Sequence, residues 1–219
     1  MQAVIVGATG LVGGCVIQEL LAEPRCTQLT SVGRRSQAPQ IKKWLERIGP
    51  MVDVEALCRD VNADVAFCCL GTTIRKAGSQ EAFAEIDWHL PLRFARAVRQ
   101  KGVKQFHVVS SLGASAQSKN FYLQTKGRME DELRALGFET LVIYRPSLLL
   151  GERQEKRPLE HLSTLAYQWM EPLYPRFLQT WKPIAAKGVA QVMVGEALAG
   201  IKGSRIMENR DMHAKLAQS

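Results

Sequence analysis

The first fourteen residues, Met1-Gln-Ala-Val-Ile-Val-Gly-Ala-Thr-Gly-Leu-Val-Gly-Gly14, constrain the fold more than any other stretch. Residues 3–6 are an apolar, β-rich run. Gly7, Gly10 and Gly13 follow at three-residue spacing, with Thr9, Leu11 and Val12 between them. Leu11, Cys15, Val16, Leu20 and Leu21 then recur at helical spacing. Strand, glycine turn and helix in that order make a cradle for a pyrophosphate. Gly7 permits the sharp turn, Gly10 lets backbone approach the phosphates, and Gly13 lets the helix pack close to the strand. The free N–H groups and the dipole at such a helix start favour an anion.

The rest of the chain continues the alternation. Residues 29–32 form the second predicted strand, ended by Gly33-Arg34-Arg35. Ile41, Trp44, Leu45 and Ile48 fit i, i+3, i+4, i+7 and predict a short helix, stopped by Gly49-Pro50. Residues 51–54 read as a short third strand and 64–70 as a fourth, a continuous apolar run of the kind buried in a parallel sheet. A polar loop spans 71–79. Residues 80–100 are helical in pattern, with Pro91 as a kink or restart. A fifth strand at 105–110, a loop at 112–120, a helix at 121–136 closed by Gly137, and a sixth strand at 140–144 follow. A helix at 189–198 and a last strand at 205–207 complete the pattern. This is an α/β chain, a Rossmann-type doubly wound parallel sheet with helices on both faces. Residues 1–219 read as a single domain.

Residues 151–186 break the rhythm. They hold Pro158, Pro172, Pro175 and Pro183 and an apolar stripe of Leu162, Leu165, Ala166, Trp169 and Met170. They read as a small C-terminal cap on the substrate side. Core packing or a dimer face is the default for the stripe, and a lid over 159–181 is the functional alternative.

Composition excludes several classes. No apolar run approaches the ~20 residues of a membrane helix, and no charged-then-apolar leader precedes the first strand. The five cysteines lack zinc or redox spacing and read as buried thiols in a reducing cytoplasm. Cys68 and Cys69 are adjacent in a strand, point to opposite faces, and so form no bridge without strain. His89, His107, His161 and His213 lack metal-ligand spacing, and no metal site is expected. The net charge of +8 is spread without a run of five basic residues. It reads as a solvated surface, with Arg93, Arg96 and Arg99 on an exposed helix face. Nucleic-acid binding is the weakest reading of it.

Two constellations carry chemistry. Where an Asp or Glu would accept from the 2′-OH of NAD, about 20 residues beyond the glycines, this chain has no carboxylate. It has Arg34 and Arg35, whose guanidiniums suit a 2′-phosphate, and NADP(H) is the expected cofactor. In Tyr122-Leu-Gln-Thr-Lys126 the i, i+4 spacing puts both side chains on one helix face. The Lys126 ammonium favours phenolate and tunes Tyr122 toward a working acid. Ser111, at the end of the fifth strand, donates to the substrate oxygen; Ser110 is the alternative one residue earlier.

These residues carry a resemblance. Gly-Ala-Thr-Gly-Leu-Val-Gly, Ser110-Ser111 and Tyr-x-x-x-Lys resemble an atypical short-chain dehydrogenase/reductase. Phe67-Cys-Cys-Leu-Gly-Thr-Thr73, Lys76-Ala-Gly78, Asn120 to Gly127, Arg145-Pro146, Arg153-Gln-Glu155 and Arg157-Pro158 resemble the animal Tat-interacting oxidoreductase-like family over nearly the whole chain. The resemblance implies an NADPH-binding fold with Tyr122 and Lys126 in active-site positions and Leu70, Gly71, Leu149 and Arg157 lining the cofactor. It names no substrate. Asp87 falls where many relatives place an Asn or Asp and receives no chemical role. The expected function is an NADP(H)-dependent oxidoreductase acting on a small-molecule carbonyl or alcohol, as a monomer or homodimer. The alternative is an NADPH-binding regulator that controls a protein partner without turnover.

Overall fold

Seven strands pair side by side, every pair parallel: β1 (Gln2–Val6), β2 (Gln28–Gly33), β3 (Trp44–Ile48), β4 (Val65–Cys68), β5 (Gln105–Val109), β6 (Thr140–Arg145) and β9 (Gly203–Glu208), in the order β3-β2-β1-β4-β5-β6-β9. The computed structural model describes residues 1–37, 41–151 and 180–218. Side chains alternate across the central strands. Ala3, Ile5 and Phe67 pack with α1 (Leu11–Ala22) and α7 (Ala186–Ala199) on one face. Val4, Val6, Ala66 and Phe106 pack with α2 (Val54–Leu57), α5 (Leu90–Gln100) and α6 (Phe121–Ala135) on the other. The sheet is doubly wound, as expected. Strand order reverses between β1 and β4, which opens a crevice at their C-terminal ends, where ligands bind in such sheets. No helix among the described residues is long and apolar enough to cross a membrane.

The second crossover differs from expectation. Residues 44–48 are an edge strand, not a helix. Trp44 turns inward, and its indole N–H donates to Ser31 Oγ at 2.9 Å. Three apolar residues within five positions fit either period, and the open edge of β2 decides between them. Lys43 fixes the approach: its Nζ donates to the carbonyls of Leu20, Glu23 and Cys26, each at 3.2 Å, and so caps the C-terminal end of α1. With that edge taken, residues 51–54 do not form the expected third strand. They make a 3₁₀ turn, Met51–Asp53, that runs into α2.

The expected helix over 80–100 is present in three parts. α4 (Gln80–Ala84), preceded by the short α3 (Ile74–Ala77), leads into a π-helical turn, Glu85–His89, and then α5. Pro91 sits in the first turn of α5, where its missing N–H is tolerated. The π turn makes the restart. Arg93 pairs with Glu85 at 2.6 Å, Arg96 with Glu132 at 3.4 Å, and Arg99 donates to the Gly137 carbonyl at 3.2 Å.

Of the cap expected over 151–186, residues 152–179 lie outside the described residues, and with them the lid stripe. Its two stems pair in parallel as β7 (Leu149–Leu150) and β8 (Ile184–Ala185). Asn209, at the start of α8 (Asn209–Leu216), ties them together. Its Oδ1 accepts the Ser147 N–H at 3.1 Å, and its Nδ2 donates to the Lys182 carbonyl at 2.8 Å.

His107 lies fully buried in β5, stacked on Phe67 at 5.2 Å, with Nδ1 2.9 Å from the Tyr144 hydroxyl. Burial, aided by the Arg205 charge, pushes the imidazole down to about 3. The unfolded chain takes up this proton below about 6.5, whereas the folded chain does not until near 3. Stability therefore falls as pH drops through that window, by about 1.4 kcal/mol per unit from this group. His107→Gln should lose about 2 kcal/mol less than wild type between pH 6.5 and 5 in urea unfolding. Equal losses would assign the acid limb to other groups.

Candidate functional site

The glycine loop closes as the spacing requires. Gly7 has φ +81°, and a Cβ on Gly13 would lie 2.1 Å from the Gly7 carbonyl oxygen, so the start of α1 can sit against β1 only without side chains. Gly10 occupies the N-cap of α1, with no side-chain cap and no acidic residue in the first turn. The helix start thus keeps its N–H groups and its positive dipole end for an anion. Val12 and Gly13 are buried and offer backbone alone; Thr9 is exposed and Leu11 half-buried.

A cleft of about 80 Å³ opens beside this loop. Gly7 and Thr9 line it from the loop after β1, Arg34 and Arg35 from just past the end of β2, and Leu70 from beyond β4. Sequence reasoning missed Ile48 and Met51, which also line it, because their elements were misread. Both arginines are exposed.

The second half of the site adjoins at Gly71. A Cβ there would lie 3.6 Å from Asp87 Oδ1 and 3.9 Å from Lys126 Nζ. Lys126 pairs with Asp87 at 2.7 Å, and the second Asp87 oxygen accepts the Thr72 N–H at 2.9 Å. Lys126 therefore does not face Tyr122 as a lone ammonium. Burial acts to lower the Lys126 value, but Asp87, with a smaller contribution from Tyr122, holds it above the ordinary one. Asp87, to which sequence reasoning gave no role although it falls where many relatives place an Asn or Asp, is thus the partner of Lys126. Tyr122 is half-buried, its ring 5.3 Å from Phe83.

The two serines separate by partner. Ser110 is buried, and its hydroxyl donates to Glu130 Oε1 at 2.6 Å. Ser111 is half-buried and makes only a 3.5 Å contact with the Leu112 carbonyl oxygen. Glu130, fully buried, also accepts from Arg145 Nε at 2.9 Å and Nη2 at 2.6 Å and from Arg134 at 3.2 Å. Arg145 reaches on to Glu208 at 3.0 Å. This network joins the ends of β5, β6 and β9 behind the site. Leu149 packs in the same apolar cluster as Leu11, and a Cβ on neighbouring Gly151 would lie 2.7 Å from Leu11 Cδ1. Arg157 lies outside the described residues. All five cysteines are free. Among the described residues no group of three or more metal-ligating side chains converges.

Residues 36–173 match the HIM1 family. A Candida albicans protein, "Protein FMP52, mitochondrial", is 34% identical over the whole of this chain and 99% of its own length. The chain belongs to the HIM1 family. Rat "Protein HTATIP2" is 37% identical over 73% of this chain and 67% of the relative, in keeping with the resemblance to the Tat-interacting family. Among solved structures, this HIM1-family protein is similar to Bordetella bronchiseptica WbmH in complex with NAD+, with a TM-score of 0.68 and 15% identity over 94% of this chain and 75% of that one. It is also similar to MoeE5 in complex with UDP-glucuronic acid and NAD, with a TM-score of 0.69 and 20% identity over the same shares. These likenesses show a shared Rossmann-type fold.

One expectation is overturned. The FMP52 relatives from Candida albicans, Emericella nidulans and Scheffersomyces stipitis are named mitochondrial, which points away from a cytoplasmic location. The expectation rested on unbridged thiols, and these indicate a reducing surrounding without saying which compartment supplies it.

Proposed function

We propose that this protein is an NADP(H)-binding oxidoreductase that reduces a carbonyl or oxidises an alcohol. One juxtaposition carries the reading. The glycine cradle, Arg34, Arg35 and Leu70 border one cleft, and Lys126, one turn beyond Tyr122 on α6, reaches the same strand end at Gly71. The cradle, whose close approaches leave no room for a Cβ, and the uncapped N-terminus of α1 fit a pyrophosphate. When bound, the nicotinamide supplies or accepts hydride. The chain does the rest. Arg34 and Arg35 hold the 2′-phosphate, Lys126 donates to the nicotinamide-side ribose hydroxyls, and Leu149 and Arg157 line the cofactor, as the resemblance implies. In reduction Tyr122 gives a proton to the carbonyl oxygen, and Ser111 hydrogen-bonds the same oxygen. A purely regulatory NADPH-binding role needs none of these hydroxyl donors, so Ser111 and Tyr122 favour turnover.

The test is NADPH and NADH titration, followed by a screen of NADPH oxidation against aldehydes, ketones, quinones and nucleotide sugars. NADPH should bind about 10- to 100-fold tighter than NADH, since one charge-assisted contact contributes roughly 1.5–3 kcal/mol. The margin should shrink at high salt because both arginines are exposed. Arg34→Ala should remove most of it and Arg35→Ala less, Arg34 lying nearer the strand end. Equal or tighter NADH binding by the wild-type protein would leave both arginines as surface charge.

A further inference from the structure

The two proposed hydroxyl donors adjoin apolar surface. Ser111 leads into Leu112, whose N–H donates to the Pro146 carbonyl at 3.0 Å, just past the end of β6. Gly113 follows with φ +79°, and a Cβ there would lie 3.7 Å from Cδ1 of Leu123, the neighbour of Tyr122 on α6. Two residues beyond Pro146, Leu148 is 67% exposed, and Trp181, on the other stem of the cap, is 63% exposed. The stems lie side by side: the Ser147 hydroxyl donates to the Lys182 carbonyl at 2.6 Å, and the Ile184 N–H to the Leu148 carbonyl at 3.0 Å. A single exposed leucine is ordinary, but tryptophan is a residue that folding mostly covers. Here it stands in water on a stem fastened to the one that carries Leu148.

The cations that back onto this end are engaged. Lys126 pairs with Asp87 at 2.7 Å, and Arg145 pairs with Glu130 at 2.6 Å and Glu208 at 3.0 Å. Neither carries an uncompensated charge for a substrate phosphate or carboxylate. Small-molecule sites are lined mostly by apolar and aromatic side chains, with a few polar groups that fix orientation. Ser111 and Tyr122 are polar groups of that kind, and Leu148 and Trp181 are the apolar ones.

We infer that the substrate is an uncharged, apolar aldehyde or ketone, with its carbonyl at Ser111 and Tyr122 and its hydrocarbon tail along Leu148 and Trp181. The inference rests on the proposed oxidoreductase function and narrows it. For an aldehyde, one hydride from NADPH adds to the carbonyl carbon and the π pair moves to oxygen. That oxygen takes the Tyr122 proton, and the phenolate regains one from water. The products are the primary alcohol and NADP+.

The test is a series of straight-chain aldehydes, propanal to octanal, in NADPH oxidation, with UDP-glucose as the charged comparison. In the wild-type protein kcat/KM should rise about two- to fourfold per added methylene, fourfold being the ~0.8 kcal/mol of one buried CH₂. UDP-glucose should be turned over less well than octanal. Leu148→Ser and Trp181→Ala should each lower the octanal-to-propanal ratio about fivefold or more. Ile201→Ser alters another exposed apolar side chain, beyond the opposite ends of the strands, and should leave the ratio as it is. The second readout needs no turnover. Octanamide, which takes no hydride, should bind the wild-type protein in calorimetry and bind Leu148→Ser and Trp181→Ala about fivefold more weakly or worse. A flat series, better turnover of UDP-glucose, or octanamide binding that ignores both side chains would overturn the inference. So would a change of oligomeric state in the two variants with the series intact, which would make the patch a contact between copies. Failure of every carbonyl compound to oxidise NADPH would instead overturn the proposed function, and octanamide binding would still decide whether the two side chains hold an apolar tail.

Discussion

Tyr122→Phe should lower the rate of NADPH-dependent carbonyl reduction by about 10²- to 10⁴-fold, with NADPH affinity nearly unchanged. The substitution removes one oxygen and keeps the ring that packs 5.3 Å from Phe83. The start of α6 does not depend on the phenol, since Asn120 caps it by accepting the Leu123 N–H at 3.2 Å. Fold and cofactor cradle should therefore survive, and the loss should fall on the proton-transfer step. Steady-state kinetics on the first substrate found by the screen is the measurement. Turnover at the wild-type level would remove Tyr122 as the acid and leave the helix face as packing.

The largest stability effect is expected at Glu130. Its carboxylate accepts from Ser110, Arg145 and Arg134 while fully buried. Glu130→Ala leaves the Arg145 guanidinium, whose side chain is only 16% exposed, with Glu208 in place of two partner carboxylates. Breaking one half of a buried pair costs about 3–5 kcal/mol, which for a chain of this size lowers the melting temperature by on the order of 10 °C. Replacing Glu130 and Arg145 together with Leu should cost clearly less, because the charges left behind, Glu208 and Arg134, are partly exposed and reach water. Thermal melts of the three proteins test this. A single variant no worse than the double one would mean that water reaches Arg145 and solvates it.

What the sequence made legible follows the range over which each feature is determined. The glycine loop is written in adjacent residues, and Gly7, Gly10 and Gly13 take the places their spacing assigns. The central strands are buried on both faces, so their apolar runs admit one reading. Residues 44–48 are different: five residues at a half-exposed edge fit two periods, and only the empty edge of β2 selects the strand. Asp87 had a position from the resemblance but no role, because its contact with Lys126 joins the π turn to α6 and no local pattern shows it. Ser110 and Ser111 are chemically identical in sequence. Glu130, twenty positions away, is what engages one of them. The Glu130–Arg145 contact itself joins a helix to the following strand, a pairing invisible to any local pattern.

The segment between β2 and β3 carries the two arginines on which cofactor choice is proposed to turn. It is secured from outside the sheet core. The Glu46 carboxylate accepts the Gln37 N–H at 2.8 Å, and Lys43 grips the end of α1 through three carbonyls. The described residues on its two sides are thus each tied to a neighbouring element. Under the proposed function, exchanging residues 34 and 35 for an acidic pair should turn coenzyme preference toward NADH and leave the pyrophosphate cradle and the Tyr122 helix in place.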